Sequence, residues 1–147
     1  MKKTAVKTVG ILTAGGDAPG LNAAIRGVCR SGMINYGMKF VGIRNGYRGL
    51  VEGDCFQIKT GDVAGILTRG GTILGTARDK PFKNPVPDAD TGLLPIEAIK
   101  KNPKVFLGFS DSTTNHLIFY KLGLNTYYGQ CLLVDIDTVY HHRTKDR

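Results

Sequence analysis

Residues Val9 to Arg26, VGILTAGGDAPGLNAAIR, decide how this chain is read. An apolar run of Val9, Ile11 and Leu12 gives way to Gly15-Gly16-Asp17-Ala18-Pro19-Gly20, and an alanine-rich segment of good helix formers follows. Strand, glycine turn and helix, in that order, bring backbone N–H groups against phosphate in parallel α/β proteins. Glycine lets the backbone approach closely and adopt positive φ, and the helix N-terminus behind it favours an anion. A strand-to-helix turn also needs glycine for its own geometry, so the turn alone leaves phosphate binding and plain turn chemistry both open.

Outward from this stretch, the chain offers one domain's worth of residues, 147 in all, and a single α/β domain over 1–147 is the expectation. A hydrophobic fraction of 41% with 20 glycines fits an α/β protein rich in tight turns. No apolar run is long enough to span a bilayer, and Lys2-Lys3 is not followed by a signal-peptide core, so a cytoplasmic location is expected. Cys29, Cys55 and Cys131 form neither a C-x-x-C pair nor a disulfide framework, which reads as core or surface thiols in a reducing compartment. The net charge of +8 suits anionic partners. Its dispersal, without a dense basic run interleaved with aromatics, favours small phosphates over nucleic acid. No metal-ligand spacing stands out, and His141 and His142 read as part of a solvated tail.

The coarse pattern is βα throughout. A strand is expected over Thr8–Thr13 and a helix over Pro19–Tyr36, with Ala23, Ala24, Val28 and Cys29 on its apolar side and Gly37 as its stop. A second strand covers Lys39–Arg44, a short one Phe56–Lys59, and a brief helix Asp62–Leu67. Pro81, Pro85, Pro87 and Pro95 exclude a continuous helix over Arg78–Pro95, which reads as a surface loop. A short helix at Ile96–Lys101 and a strand at Lys104–Leu107 come next. Thr113–Leu122 is then a helix with Leu117, Ile118 and Leu122 as its apolar positions, and Asn125–Tyr128 and Cys131–Val134 read as strands.

The opening stretch, as Thr13-Ala14-Gly15-Gly16-Asp17-Ala18-Pro19-Gly20-Leu21-Asn22, resembles the T-x-G-G-D-x-x-G-x-N turn that opens ATP- or pyrophosphate-dependent phosphofructokinases. Asn45-Gly46-Tyr47-Arg48-Gly49-Leu50 is similar to the family's G-Y-x-G-L loop. Arg69-Gly70-Gly71-Thr72-Ile73-Leu74-Gly75-Thr76-Ala77-Arg78 resembles its R-G-G-T-x-L-G-(ST)-x-R segment. The resemblance runs to about Lys100 and implies the following roles. Gly15 would meet nucleotide phosphate through its backbone, Tyr47 would pack near the adenine, and Asp79 would adjoin the nucleotide site. Arg78 would reach the phosphates and steady the transferring group, as a planar guanidinium fork allows. Arg26 and Arg30, one helical turn apart, would meet an effector phosphate. For Tyr47 the competing reading is core packing, and for the two arginines a solvated helix face. ATP and Mg²⁺ are the implied cofactors, nucleotide and sugar phosphate the partners, and a homo-oligomer the family habit.

Three further family motifs are not legible as written: a G-G-D-G-(ST) magnesium loop, a T-I-D-N-D segment with the base, and an M-G-R segment for the sugar phosphate. Gly108-Phe109-Ser110-Asp111-Ser112 stands where the first belongs, and Asp135-Ile136-Asp137 only faintly echoes the second. Pro103 to Leu117, with Tyr127-Tyr128-Gly129, instead resembles the LD-carboxypeptidases and microcin-immunity serine peptidases, whose nucleophile lies in a P-K-x-x-x-G-(FY)-S-D-(ST) turn. That likeness makes Ser110 the nucleophile, on a strand-to-helix turn of the kind that exposes a hydroxyl beside backbone N–H groups. A serine needs an oriented base. His116 lies off the Ser110 face of the following helix and reads as a solvated residue.

Taken together, the expectation is a three-layer, Rossmann-like α/β domain with a mostly parallel sheet. Its function is that of a phosphofructokinase-like protein or fragment, catalytically incomplete, holding nucleotide phosphates at the first turn. The alternatives are a serine-hydrolase fragment built on Ser110, or a non-catalytic chimeric module with its seam at residues 85–103.

Overall fold

A computed structural model of the chain describes residues 7–79, Phe82 and 85–129. They fall into two compact units divided between Pro95 and Ile96. The readings placed on Cys131–Val134, Asp135, Asp137, His141 and His142 lie outside the described residues.

In the first unit the opening stretch folds as β1 (Thr8–Ile11) and α1 (Leu21–Tyr36), followed by β2 (Lys39–Ile43), α2 (Tyr47–Glu52) and β3 (Cys55–Ile58). β1 and β2 pair in parallel, from Thr8 opposite Lys39 to Ile11 opposite Gly42, and α1 supplies the crossover that a parallel pair needs. β3 pairs antiparallel with β2, from Phe40 opposite Ile58 to Ile43 opposite Cys55. The connection from Arg44 to Asp54 is too short for a crossover, so the strand turns back and this small sheet is mixed.

α1 ends at Gly37, whose φ of 65° no β-carbon opposes and whose N–H caps the Met33 carbonyl. Its buried face is Asn22, Ile25, Cys29 and Gly32, whereas Val28 is 52% exposed. Of the apolar side expected through Ala23, Ala24, Val28 and Cys29, Cys29 is buried and Ala24 half-buried while Ala23 and Val28 are exposed, so the buried stripe is rotated. Gly32 explains the rotation, because a Cβ there would stand 2.5 Å from Phe40 Cζ, so the helix rests its smallest residue on the largest side chain of β2. Ile25, Cys29, Phe40 and Ile58 form the core with Val63, Ile66 and Leu74 from the segment after β3.

That segment is not the brief helix expected at Asp62–Leu67. It is a succession of turns, with the Asp62 N–H donating to the Lys59 carbonyl, the Ala64 N–H to Gly61, and Gly65 at φ 64°. Its two apolar anchors, Val63 and Ile66, reach the core without helical hydrogen bonding. Asn45–Leu50, expected as a loop, contains the first turn of α2. Farther on, Asp88 organises a turn, accepting from the Thr91 hydroxyl at 2.7 Å and the Thr91 N–H at 2.8 Å. Those bonds hold its carboxyl below the usual carboxylate range.

The second unit contains α3 (Pro95–Lys101, beginning at the division), β4 (Phe106–Gly108), a 3-10 turn at Ser110–Ser112, α4 (Thr113–Lys121) and β5 (Thr126–Tyr128). β4 and β5 are parallel, with Phe106 opposite Thr126, and α4 is their crossover. The face of α4 that is buried carries Asn115, His116 and Phe119, while Leu117 is 61% exposed. The Phe106 ring fixes this rotation, standing edge-on to His116 at 4.9 Å and to Phe119 at 4.8 Å. Among the described residues no helix is long and apolar enough to cross a membrane.

The two described cysteines differ in a testable way. Cys29 is fully buried, and burial pushes its thiol pKa up, whereas Cys55 is exposed. Because the thiolate is the reacting form, brief iodoacetamide treatment of the native chain should alkylate Cys55 and spare Cys29 on peptide mapping. Equal alkylation of the two would contradict the packing of α1.

Candidate functional site

The glycine turn at the end of β1 meets two other segments of the first unit. Gly15 is buried with φ 89°, a conformation that any Cβ would strain, and its N–H donates to the Ala77 carbonyl at 3.4 Å. In return the Thr76 hydroxyl donates to the Gly15 carbonyl at 2.8 Å. Below them the buried Thr13 hydroxyl donates to the Gly75 carbonyl at 2.6 Å and lies 3.0 Å from Thr72 Oγ1. A hydroxyl has one proton, so Thr72 is the donor of that pair. Asn22, at the start of α1, accepts from the Ile73 N–H at 2.9 Å and donates to the Arg69 carbonyl at 3.0 Å.

The third segment precedes α2. The Asn45 N–H donates to the Leu74 carbonyl at 2.9 Å, and Gly46 packs so closely that a Cβ would stand 2.9 Å from the Thr13 carbonyl oxygen. Thus 13–17, 45–48 and 72–79 are fastened into one surface. Arg78 is exposed on it, with Nη2 3.5 Å from where a Cβ on Gly16 would sit. Arg48, on α2, grips Asp79 with two bonds, Nε to Oδ2 at 2.9 Å and Nη2 to Oδ1 at 3.2 Å. The Asp79 carboxylate, through that hydrogen bond first, raises the Arg48 pKa above its ordinary value. The pair is exposed, so its worth lies in orientation rather than stability.

Gly15, Arg78 and Asp79 are therefore brought together. Tyr47 is buried at 3% exposure at the head of α2, which is the packing expected of an aromatic after a strand. Arg26 and Arg30 are half-buried, and the Arg26 guanidinium donates to the Val63 carbonyl, so neither is a freely solvated side chain on α1. Among the described residues no three His, Cys, Asp or Glu side chains cluster as a metal site. The turn itself carries the exposed Asp17, and the segment fastened to it carries the Arg48-bound Asp79. Such a set fits a magnesium ion carried in on phosphate oxygens with one or two carboxylates, and not a protein-only cage.

The Thr13 contacts predict a measurable loss. Thr13→Val keeps the shape but strips the Gly75 carbonyl and the Thr72 hydroxyl of their partner inside the unit. An unsatisfied buried group costs about 1–3 kcal/mol, so urea unfolding should show a destabilisation of that order. Thr8→Val, at an exposed position of β1, should stay within about 0.5 kcal/mol.

The second unit presents the strand-to-helix turn. Ser110 is exposed with φ 57°, a strained value for a residue with a Cβ. Its N–H donates to Tyr128 Oη at 3.2 Å, and its carbonyl accepts from the Thr113 hydroxyl at 2.5 Å. His116 is not the solvated residue expected from its position. It is 8% exposed, packed on the Phe106 ring and on Tyr128, with Nδ1 2.8 Å from Thr126 Oγ1.

A family model described as Phosphofructokinase matches residues 8–105. The chain belongs to the phosphofructokinase family. An ATP-dependent 6-phosphofructokinase of Spirochaeta thermophila is 57% identical over 105 residues, which are 69% of this chain and 28% of that protein. One of Clostridium novyi is 42% identical over 121 residues, 82% of this chain and 37% of that protein. Among solved structures, Pichia pastoris phosphofructokinase in the T-state superposes with a TM-score of 0.60 at 33% identity, covering 84% of this chain and 14% of that one. The chain thus spans well under half the length of the phosphofructokinases it matches. A second model, the LD-carboxypeptidase N-terminal domain, matches residues 91–129. Both resemblances seen in the motifs are upheld, with the phosphofructokinase one covering most of the chain.

Motif reading missed the residues that hold this phosphofructokinase-family surface together. Thr13, Thr72 and Thr76 fall inside the family motifs, yet nothing in their spacing says that their hydroxyls fasten one motif to the next. Arg48 had a signal, a basic residue on the Gly46–Leu50 segment, but its partner Asp79 lies far along the chain.

Proposed function

We propose that this chain binds the phosphates of a nucleotide, ATP by preference over pyrophosphate, at the Gly15–Asp17 turn, in the manner of a phosphofructokinase acting on fructose 6-phosphate. The observation that carries the proposal is the fastening of the Gly15 turn to the Thr72–Asp79 segment through Thr13, Thr72 and Thr76, which sets Arg78 over Gly16. Backbone N–H groups and a guanidinium around one surface are what a polyphosphate needs. Preference for ATP rests on the names of the relatives.

In this proposal Gly15, its N–H held by the Ala77 carbonyl, lets the backbone of the turn come close to the phosphates, Arg78 neutralises their charge, and Asp79 acts through the Arg48 fork that orients it. Tyr47, buried at the head of α2, packs near the adenine in this reading. Arg26 and Arg30 are the candidate effector site, with Arg26 presented from its bond to the Val63 carbonyl. Mg²⁺, entering with the nucleotide, would neutralise phosphate charge. A three-layer Rossmann-like arrangement, a cytoplasmic location and a homo-oligomer belong to the same proposal. A junction within residues 85–103 is supported by the division at Pro95 and by the two family matches meeting there.

Phosphoryl transfer is taken to be incomplete in this chain, because Leu107–Ser112 carries Phe109 and Ser110 where a magnesium loop has glycine and aspartate. Incubated with Mg-ATP and fructose 6-phosphate, the chain should give no fructose bisphosphate above blank. Turnover that disappears in Arg78→Ala would contradict this.

One observation favours a second reading. The strained φ of Ser110, on a turn whose N–H and carbonyl are both engaged, is the form of an exposed nucleophile. Under that reading the second unit is hydrolase-like, and a fluorophosphonate probe forms its adduct on Ser110.

A further inference from the structure

The exposed turn at Ser110 is closed by a side chain from the neighbouring strand. Tyr128 ends β5, which runs parallel to β4 and sets Tyr128 opposite Gly108, two residues before Ser110. The Tyr128 hydroxyl oxygen lies 3.2 Å from the Ser110 nitrogen and accepts its N–H. The same oxygen is 3.3 Å from Thr113 Oγ1. Thr113 spends its one hydroxyl proton on the Ser110 carbonyl at 2.5 Å, so in the contact with Tyr128 the phenol is the donor. Both hydrogen-bonding roles of the phenol are thus taken by the turn.

The ring is steadied as well. Tyr128 meets Phe109 and His116 in tilted aromatic contacts, each with 5.3 Å between ring centroids. Yet the residue is 56% exposed, so the ring can swing into solvent without opening a core. A serine that attacks an acyl carbon needs hydrogen-bond donors for the oxygen that turns negative. In the serine-protease arrangement the nucleophile's own backbone N–H is one of those donors. Ser110 has that N–H, and Tyr128 already fills it.

We propose that Tyr128 plugs the oxyanion position of the Ser110 turn, so that its phenol must leave before Ser110 reacts with an ester-type acyl group. The proposal rests on the reading of Ser110 as a nucleophile. In the acyl step Ser110 Oγ forms a bond to the carbonyl carbon, its proton passes to water, and the carbonyl π pair moves onto oxygen. That oxygen takes over the Ser110 N–H as the phenol turns to solvent. The π bond then re-forms as the old C–O bond breaks, and the leaving oxygen takes a proton from water. The Thr113 bond to the Ser110 carbonyl does not depend on the phenol, so the turn keeps its shape when the plug is out.

The full chain and its Tyr128→Phe variant are treated with a fluorophosphonate. Ser110 Oγ bonds to phosphorus, fluoride leaves, the serine proton goes to water, and the phosphoryl oxygen stands where the oxyanion would. Phenylalanine keeps the ring contacts with Phe109 and His116 and deletes one oxygen. The adduct should map to Ser110 in both chains and form roughly three- to tenfold faster in Tyr128→Phe, the worth of one neutral hydrogen bond. Amide exchange followed by NMR gives a second measurement. The Ser110 N–H should exchange faster in the variant, while the Phe119 amide within α4 keeps its protection. Equal or slower labelling of Tyr128→Phe overturns the plug and leaves Ser110 as the nucleophile. Unchanged exchange at Ser110 also overturns it. A chain that forms no Ser110 adduct with or without the phenol overturns the Ser110 reading, and the plug falls with it.

Discussion

Gly49→Ala is expected to cause a large loss of stability, since among the described glycines its added methyl meets the shortest backbone contact. A Cβ at Gly49 would stand 1.8 Å from the Arg44 carbonyl oxygen and 2.9 Å from its carbon, and both are backbone atoms that cannot rotate away. The Arg44 N–H is also bonded to the Asp54 carbonyl at 3.0 Å, and the Asp54 N–H to the Gly49 carbonyl at 2.9 Å, so the whole return from β2 to β3 is tied across this glycine. Moving α2 away to make room breaks those bonds and lifts Tyr47, which is 3% exposed, out of its packing. Overpacking in a close-packed interior costs about 1–3 kcal/mol, and rigid backbone on the receiving side puts this case at the upper end or beyond. Urea denaturation should show a loss of about 3 kcal/mol or more, or no cooperative transition. Gly53→Ala, at the far end of α2 where nothing lies within 4 Å, serves as the comparison, carrying only the strain of its φ of 73°. Equal losses at the two positions would contradict the close approach of α2 to Arg44.

Arg78→Ala should give the largest change in ligand binding while leaving the fold alone. The side chain is exposed, and among the residues around Gly16 it is the guanidinium not gripped by a carboxylate, since Arg48 is committed to Asp79. A hydrogen bond between charged partners is worth about 1.5–3 kcal/mol, which corresponds to roughly 10- to 100-fold in affinity for a polyphosphate. Arg48→Ala should weaken binding less, through the loss of an oriented Asp79 and not of a phosphate contact. Both variants should unfold in urea within about 0.5 kcal/mol of the parent chain, as exposed substitutions do.

Much of this was legible in the sequence, for reasons that differ from element to element. β1, α1 and β2 follow from local signals: an apolar run, a glycine turn, a helical period and a glycine stop at Gly37. The rotation of α1 was not legible, because it depends on Gly32 meeting Phe40, a contact between elements that hydropathy does not encode. α4 repeats the lesson, since Leu117 is the better hydrophobe but Phe106 selects His116 and Phe119. The antiparallel β3 was hidden for a related reason. Its direction is fixed by the length of the Arg44–Asp54 connection, and the expectation of parallel pairing came from the βα pattern around it.

The candidate site divides in the same way. Gly15 and Arg78 could be chosen because glycine and arginine have narrow physical uses beside phosphate. The threonine fastenings could not, since a hydroxyl serves a turn, a cap or a distant loop equally well in sequence. His116 was misread because one histidine on a polar helix looks solvated until the strand that covers it is known.

What is proposed for the first unit depends on the Gly15 turn and Arg78 forming one phosphate-binding surface. Calorimetric titration of the full chain with Mg-ATP, with Arg78→Ala measured beside it, tests this most directly. Saturable binding by the parent chain is expected, weakened roughly 10- to 100-fold in the variant while its urea midpoint is unchanged. Absence of saturable binding in the parent chain, or equal affinity in the two, would contradict it.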